Sequence, residues 1–315
     1  MVAKKLKVAH YFPTDFMNLW TEYAEDIEFV ENDCTDDCDL IYCGTVGLLM
    51  KAMEAREKHR VPKLVCWTWD LPMNWRMWCR NREEWESQQF RDVDILRKVS
   101  MLYHTDLIIS ASTYTQNTLE VFGLESEKCY FYIDQDGIDK VRGGDRQNRV
   151  IQISRYALNK RFDLTLQAWK ELQPEFPDWN LVFIGTGDDS APQKYADDNE
   201  LNCLIYNGIP REATVRMLKE SKVLVSPTVF EGWGITPLEA QHCGVATVCS
   251  DLAVAQEVGY NDYMFKKDNS EDYIDSLRAG INGISEQGLR PEWKREDLHP
   301  REFYKRWRGI IDGVL

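Results

Sequence analysis

The chain has 315 residues, 43% of them hydrophobic and eleven of them tryptophan, with a formal net charge of −14. That length suits about two domains, each able to bury its own core. The acidity excludes a general nucleic-acid binder, which needs a basic surface, but not a nucleotide ligand, for which a few cations and a helix end suffice. From the N-terminus, short apolar runs alternate with helix-length segments. Lys7 to Tyr11, Ile27 to Val30, Asp39 to Cys43, Leu64 to Trp69 and Asp106 to Ser110 read as strands, with helices expected over Glu84 to Tyr103 and Tyr114 to Phe122. Strands separated in this way predict a parallel, doubly wound sheet. Asp139 to Arg149 is polar, carries Gly143-Gly144 and reads as a linker. The pattern then restarts, with strands at Val150 to Ser154, Leu181 to Gly185, Leu204 to Tyr206, Val223 to Ser226 and Ala246 to Cys249. Helices are expected at Phe162 to Leu172, Arg211 to Glu220 and Thr236 to Cys243. Arg301 to Leu315 reads as a terminal amphipathic helix with Phe303, Trp307, Ile310 and Ile311 on one stripe.

The strongest chemical signal is the run Phe230-Glu231-Gly232-Trp233-Gly234-Ile235-Thr236-Pro237-Leu238-Glu239-Ala240. A strand leads into a glycine-bearing loop and then a helix, with Pro237 suited to the first turn and Thr236 a candidate cap. Free N–H groups at that helix start would face an anion, and the glycines let a ligand approach the backbone. Glu231 and Glu239 bracket this outline of a diphosphate site, and carboxylates accept hydrogen bonds from sugar hydroxyls. Taken alone, Glu239 reads as a solvated helix residue; within the constellation it reads as part of a site. A second signal, Ser154-Arg155-Tyr156-Ala157-Leu158-Asn159-Lys160, follows the first strand of the second half, at the strand edge where open α/β sheets bind ligands. Arg155 could meet a diphosphate as a planar fork and Lys160 as a point charge.

These motifs resemble those of retaining glycosyltransferases of family 4, which have the GT-B fold. Glu231 and Glu239 match the family's E-x7-E pair, Arg155 and Lys160 its Arg/Lys pair. The segments Val182 to Asp189, Asn207 to Ser221 and Asp136 to Asp139 resemble further family positions, so that the likeness spans roughly residues 135–285. The resemblance implies two Rossmann-like α/β domains facing across a cleft. They would comprise an acceptor-side domain over 1–140, a nucleotide-sugar domain over 141–296, and a terminal helix over 297–315 crossing back to the first. It implies that Arg155 and Lys160 hold the donor diphosphate, Glu231 the donor sugar and Glu239 the ribose. Gly234 and the N–H groups of Ile235 and Thr236 would meet the distal phosphate, and Gly187, Gly208 and Ile209 would line the nucleotide. The implied reaction is hexosyl transfer from a UDP- or GDP-sugar to a glycan, lipid-linked or other hydroxyl acceptor, with retention and without metal or cofactor. The chain departs from the family in two places. His10 to Trp20 lacks the glycine-rich loop, and Cys66 to Pro72 offers Asp70 where the family often has a His.

Other features are set aside or kept as alternatives. The nine cysteines sit in apolar contexts and read as reduced thiols; Cys34, Cys38 and Cys43 have no second group at zinc spacing. The D-x-D triplets at Asp37, Asp92 and Asp134 arise readily in so acidic a chain, and Gly185-Thr186-Gly187 lacks the third glycine of a dinucleotide fingerprint. His104 and His242 read as structural. The interleaved Trp and Arg residues from Trp75 to Trp85 read as core packing, with a sugar acceptor or a peripheral membrane contact as the other candidates. No run reaches the ~18 to 20 apolar residues of a membrane span, and the first residues lack a secretory signal, so a cytoplasmic location is expected. Two alternatives stay open, a non-catalytic nucleotide-sugar-binding subunit and an epimerase or hydrolase on the same scaffold.

Overall fold

A computed structural model describes residues 5–11, 15–68, 96–260, 262–287 and 292–315, with the side chains of all but 15–18 and 285–287. The chain divides into two units, Met1–Asp134 with Glu296–Leu315, and Gln135–Arg295. The helix Gln135–Lys140 belongs to the second unit because Ile138 is buried with Ile151, Leu224 and Ala240. The division therefore falls before this helix, whereas the sequence motifs imply a boundary after residue 140.

The first unit holds a six-stranded, all-parallel sheet of order β2-β1-β3-β4-β5-β6. Its strands are β1 Leu6–Tyr11, β2 Ile27–Glu31, β3 Leu40–Cys43, β4 Lys63–Thr68, β5 Leu107–Ser110 and β6 Glu127–Lys128. The apolar run of β3 is buried at all four residues, as expected of a strand covered on both faces. The helix Thr113–Glu120 starts where the Ser112 hydroxyl accepts the Thr115 N–H at 3.2 Å, a side-chain cap. Residues 96–102 are helical, and the rest of the helix expected over Glu84 to Tyr103 lies outside the described residues.

The last helix, Pro300–Asp312, completes this unit. It opens on Pro300, and the His299 imidazole accepts the Arg301 N–H at 3.1 Å. Phe303, Trp307 and Ile311, spaced by four, are fully buried, whereas Ile310 is only partly so. Trp307 and Phe303 meet Trp20 with ring centroids 4.7 and 5.5 Å apart, and Arg308 donates to Asp26 at 3.0 Å.

The second unit holds another parallel sheet, of order β12-β11-β10-β7-β8-β9. Its strands are β7 Arg149–Ile153, β8 Asn180–Gly185, β9 Cys203–Asn207, β10 Val223–Ser226, β11 Ala246–Ser250 and β12 Tyr263–Phe265. Successive strand residues face opposite sides. Val150, Leu181 and Phe183 accordingly pack with Trp169, Tyr273 and Leu277, while Ile151 and Val182 pack with Val215, Leu218 and Ala240. Numbered from β7, the strand order is 3-2-1-4-5-6, the doubly wound order of dinucleotide-binding domains. The fold is two Rossmann-like α/β domains. In the second, the chain reverses its direction of travel across the sheet between β7 and β10. The carboxyl ends of that strand pair are the place where such sheets bind ligands.

Candidate donor site in the second unit

Both motif-bearing loops leave the sheet at this switch point, one after β7 and one after β10. The loop after β7 first runs beside the end of β8, with Ser154 N donating to Ile184 O at 3.0 Å and Tyr156 N to Thr186 O at 2.8 Å. Arg155 lies between these two anchors, exposed, with no ion-pair partner among the described residues. Close approach here demands glycine at 185, because a Cβ would stand 2.3 Å from the Ser154 carbonyl oxygen. The loop then tightens into a 3₁₀ turn, Leu158–Lys160. Buried Gln152 donates to the Lys160 carbonyl at 2.7 Å and accepts from Thr165 at 2.7 Å. This inner network fixes the backbone from which the Lys160 side chain projects.

The loop after β10 is tied to the first one by Val229 N, which donates to Asn159 O at 3.0 Å. The Lys160 ammonium and the Glu231 carboxylate form an ion pair across the two loops, both side chains largely but not fully buried. The sequence placed these residues 71 positions apart in separate motifs; the switch point brings them into contact. A buried pair of this kind is costly to break by removing one member, since the other charge is left uncompensated.

The helix Ile235–His242 begins immediately after Gly234, whose φ of 90° lies in the left-handed region. A Cβ at Gly234 would fall 2.4 Å from the Tyr260 ring, so space and backbone both require glycine there. Thr236, expected as the cap, is instead the second helical residue; Gly234 occupies the cap position and no side chain caps this helix end. The first N–H groups of the helix, those of Ile235 and Thr236 among them, have no intrahelical acceptor by geometry and carry the positive end of the helix dipole. The Tyr260 hydroxyl is buried beside this turn, with no hydrogen-bond partner among the described residues. Burial, reinforced by the Glu231 carboxylate, pushes its phenol well above the usual value and keeps it a neutral O–H.

Glu239, which alone would read as solvated, is buried at 4% exposure. Arg211 holds both its oxygens, Nη1 donating to Oε2 at 3.0 Å and Nη2 to Oε1. Arg211 starts the helix Arg211–Lys219, directly after the turn carrying Gly208 and Ile209. That turn is laced to the β8 end: Gly208 N donates to Gly185 O at 2.8 Å, and Asn207 Nδ2 to Gly187 O at 2.8 Å. Gly208 has a φ of 67° with open space around it. The carboxyl edge of the sheet thus carries Arg155, Lys160, Glu231, the Gly234 helix end and the Gly187 and Gly208 turns, with Glu239 in the helix that follows.

Arg211 and Tyr260 were not among the residues singled out from the sequence. His242 is buried as expected, its Nε2 2.9 Å from Asp139. Asp37 and Asp39 of the first D-x-D triplet both serve Lys7, through its ammonium at 2.8 Å and its backbone N–H at 2.9 Å. Asp70, the Trp75 to Trp85 segment and the Asp92 triplet lie outside the described residues. Among the described residues, no group of three or more His, Cys, Asp or Glu could hold a metal ion. Among them, too, no helix is long and apolar enough to cross a membrane.

Residues 135–286 match the family model of glycosyl transferases group 1, a stretch that lies within the second unit. An uncharacterized glycosyltransferase of Haemophilus influenzae is 27% identical over 161 residues, 48% of this chain and 45% of that protein. The serotype-specific mannosyltransferase WbdA of Escherichia coli is 32% identical over 97 residues, 30% of this chain and 12% of that protein. The matched part is less than half the length of either relative. Among solved structures, a sucrose-phosphate synthase of Thermosynechococcus elongatus superposes with a TM-score of 0.74 at 11% identity, covering 98% of this chain and 99% of that one. HepE of Anabaena, solved in complex with UDP-glucose, gives 0.70 at 12% identity, covering 98% and 99%. At such identities these likenesses carry the fold alone.

Proposed function

We propose that the chain is a glycosyltransferase whose second unit binds a nucleoside-diphosphate sugar and whose first unit serves a hydroxyl acceptor. The observation that carries this reading is the convergence at the switch point of the Lys160–Glu231 pair, exposed Arg155 and an uncapped helix end. In the proposed reaction the bond between the anomeric carbon and the diphosphate oxygen breaks. The electron pair leaves with the nucleotide, the acceptor oxygen bonds to the same carbon with retention of configuration, and the proton of the acceptor hydroxyl passes to the departing diphosphate oxygen. Arg155, Lys160 and the N–H groups of Ile235 and Thr236 stabilise the charge growing on the departing diphosphate, a preorganised electrostatic role. No metal is required in this scheme. Glu231, held beside Lys160, accepts from the donor-sugar hydroxyls. Glu239 accepts from the ribose, and the turns at Gly187, Gly208 and Ile209 line the nucleoside. UDP and GDP sugars are the donor candidates, and the WbdA likeness makes a mannosyl donor worth including.

The test is thermal unfolding in the presence of UDP, GDP, ADP and their common sugars, with and without EDTA. Ligand that binds only the folded state raises the midpoint by an amount that grows with the logarithm of its concentration over Kd. We expect one nucleotide class to stabilise the protein equally with and without EDTA. Arg155→Ala and Lys160→Ala should each weaken that binding roughly tenfold or more, as for lost charge-assisted hydrogen bonds. No shift with any nucleotide would remove the donor site from the proposal.

A further inference from the structure

The donor-site reading assigns Glu239 but leaves Arg211 without a role. The Glu239 side chain is 5% exposed, whereas that of Arg211 is 46% exposed, so the arginine reaches in from the site's rim to a carboxylate that solvent hardly touches. Its fork engages both carboxylate oxygens. Two parallel N–H···O bonds fix the plane of an acid as well as its charge, which a lysine ammonium cannot do. A carboxylate offers about four acceptor positions, so the fork is compatible with hydroxyl donors on the same oxygens. Arg211 also begins the helix that follows the Gly208 turn, which is itself bonded to the end of β8. One side chain therefore connects the acid to the turn proposed to line the nucleoside.

We propose that Arg211 is a positioning residue that holds Glu239 in the orientation that reads a ribose hydroxyl, and so sets a preference for ribonucleotide over deoxyribonucleotide donors. This rests on the reading of Glu239 as the ribose acceptor. A site built to bond a hydroxyl discriminates strongly against the analogue lacking it, because the buried polar partner is left unpaired. That discrimination depends on the acid being held in place. Without the fork, the plane of the Glu239 carboxylate is no longer fixed, and the advantage of the ribose shrinks.

The experiment compares the affinities of UDP and GDP with those of their 2′-deoxy and 3′-deoxy forms by calorimetry, in the full chain and three variants. The wild-type protein should favour the ribonucleotide over at least one deoxy form by roughly tenfold or more. Arg211→Met should collapse that ratio toward one, and Arg211→Lys, which keeps the charge without the fork, should restore only part of it. A purely structural arginine would instead lower the unfolding midpoint and weaken both forms alike. An unchanged ratio in Arg211→Met, alongside a collapsed one in Glu239→Gln, overturns the inference and leaves the glutamate's role standing. If Glu239→Gln keeps the wild-type ratio, the ribose reading fails and the inference falls with it. Should Arg211→Met not fold, Arg211→Lys decides: a ratio equal to wild type overturns the proposal.

Discussion

The thiols of Cys129 and Cys243 lie buried, and burial pushes each from an ordinary value near 9 up to about 12. A thiol that holds its proton more tightly in the folded state than in the unfolded one favours folding while both are protonated. That contribution is complete below about pH 9 and is lost as pH rises through about 12. We therefore expect the denaturant midpoint to hold up to about pH 9 and then fall. In the native protein at pH 8 these thiols should resist alkylation, because the thiolate is the nucleophile. Rapid native-state labelling of either residue would contradict this. Single residues also mark how far the site could be read from sequence. Arg155, Lys160, Glu231 and the glycines are visible because they fall in short local patterns of strand, loop and helix. Arg211 and Tyr260 carry no such pattern; they gain meaning only through Glu239 and Gly234, 28 and 26 positions away in the chain. Glu239 taken alone reads as solvated, and its place in the constellation with Glu231 is what marks it as part of the site.

At the scale of elements, the loop and helix around Gly234 depend on one backbone conformation. Gly208 and Gly234 both have positive φ, 67° and 90°, but only Gly234 has a ring where its Cβ would stand. Alanine at 208 should cost about 1 kcal/mol of conformational strain. Alanine at 234 must also displace the buried Tyr260 ring, so its loss should exceed that of Gly208→Ala by about 1–3 kcal/mol, the usual range for overpacking. Gly234→Ala should also abolish nucleotide-dependent stabilisation, since the helix end moves with the turn. Equal denaturation midpoints for the two variants would show that Tyr260 yields freely. The interior strands are legible because each carries an unbroken apolar run, residues 64–67 in β4 and 181–184 in β8. The edge strands β6 and β12 have two and three residues, too few for any period to emerge. The helices Leu49–His59 and Ser190–Asp198 are rich in charge, and Pro192 interrupts the pattern of the latter. Ser270–Gln287 carries a clearer signal, with Tyr273, Leu277, Ile281 and Ile284 buried at helical spacing.

The chain as a whole is threaded so that its first unit is finished by its last residues. Phe303, Trp307 and Ile311 are fully buried, packed in a unit whose residues outside 296–315 all precede position 135. Trp307 alone meets Trp20 at 4.7 Å and Tyr42 at 5.2 Å between ring centroids, and Phe303 meets Phe131 at 5.7 Å. Removing a single buried aromatic side chain costs about 3–5 kcal/mol, against a total of about 5–15 kcal/mol for a typical domain. Deleting residues 296–315 takes away two such aromatics and a buried isoleucine at once, which should unfold the first unit at ordinary temperature. The second unit is continuous from 135 to 295 and has its own packed layers on both faces of its sheet. It also contains every described residue of the proposed donor site. The truncated chain should therefore lose amide-exchange protection in β1, β3 and β4 while keeping it in β7, β8 and β10, and nucleotide should still raise the unfolding midpoint of what remains. Loss of that nucleotide response, with the second unit still protected, would mean that donor binding draws on residues of the first unit. Retained protection in β1 would mean that the first core closes without its terminal helix.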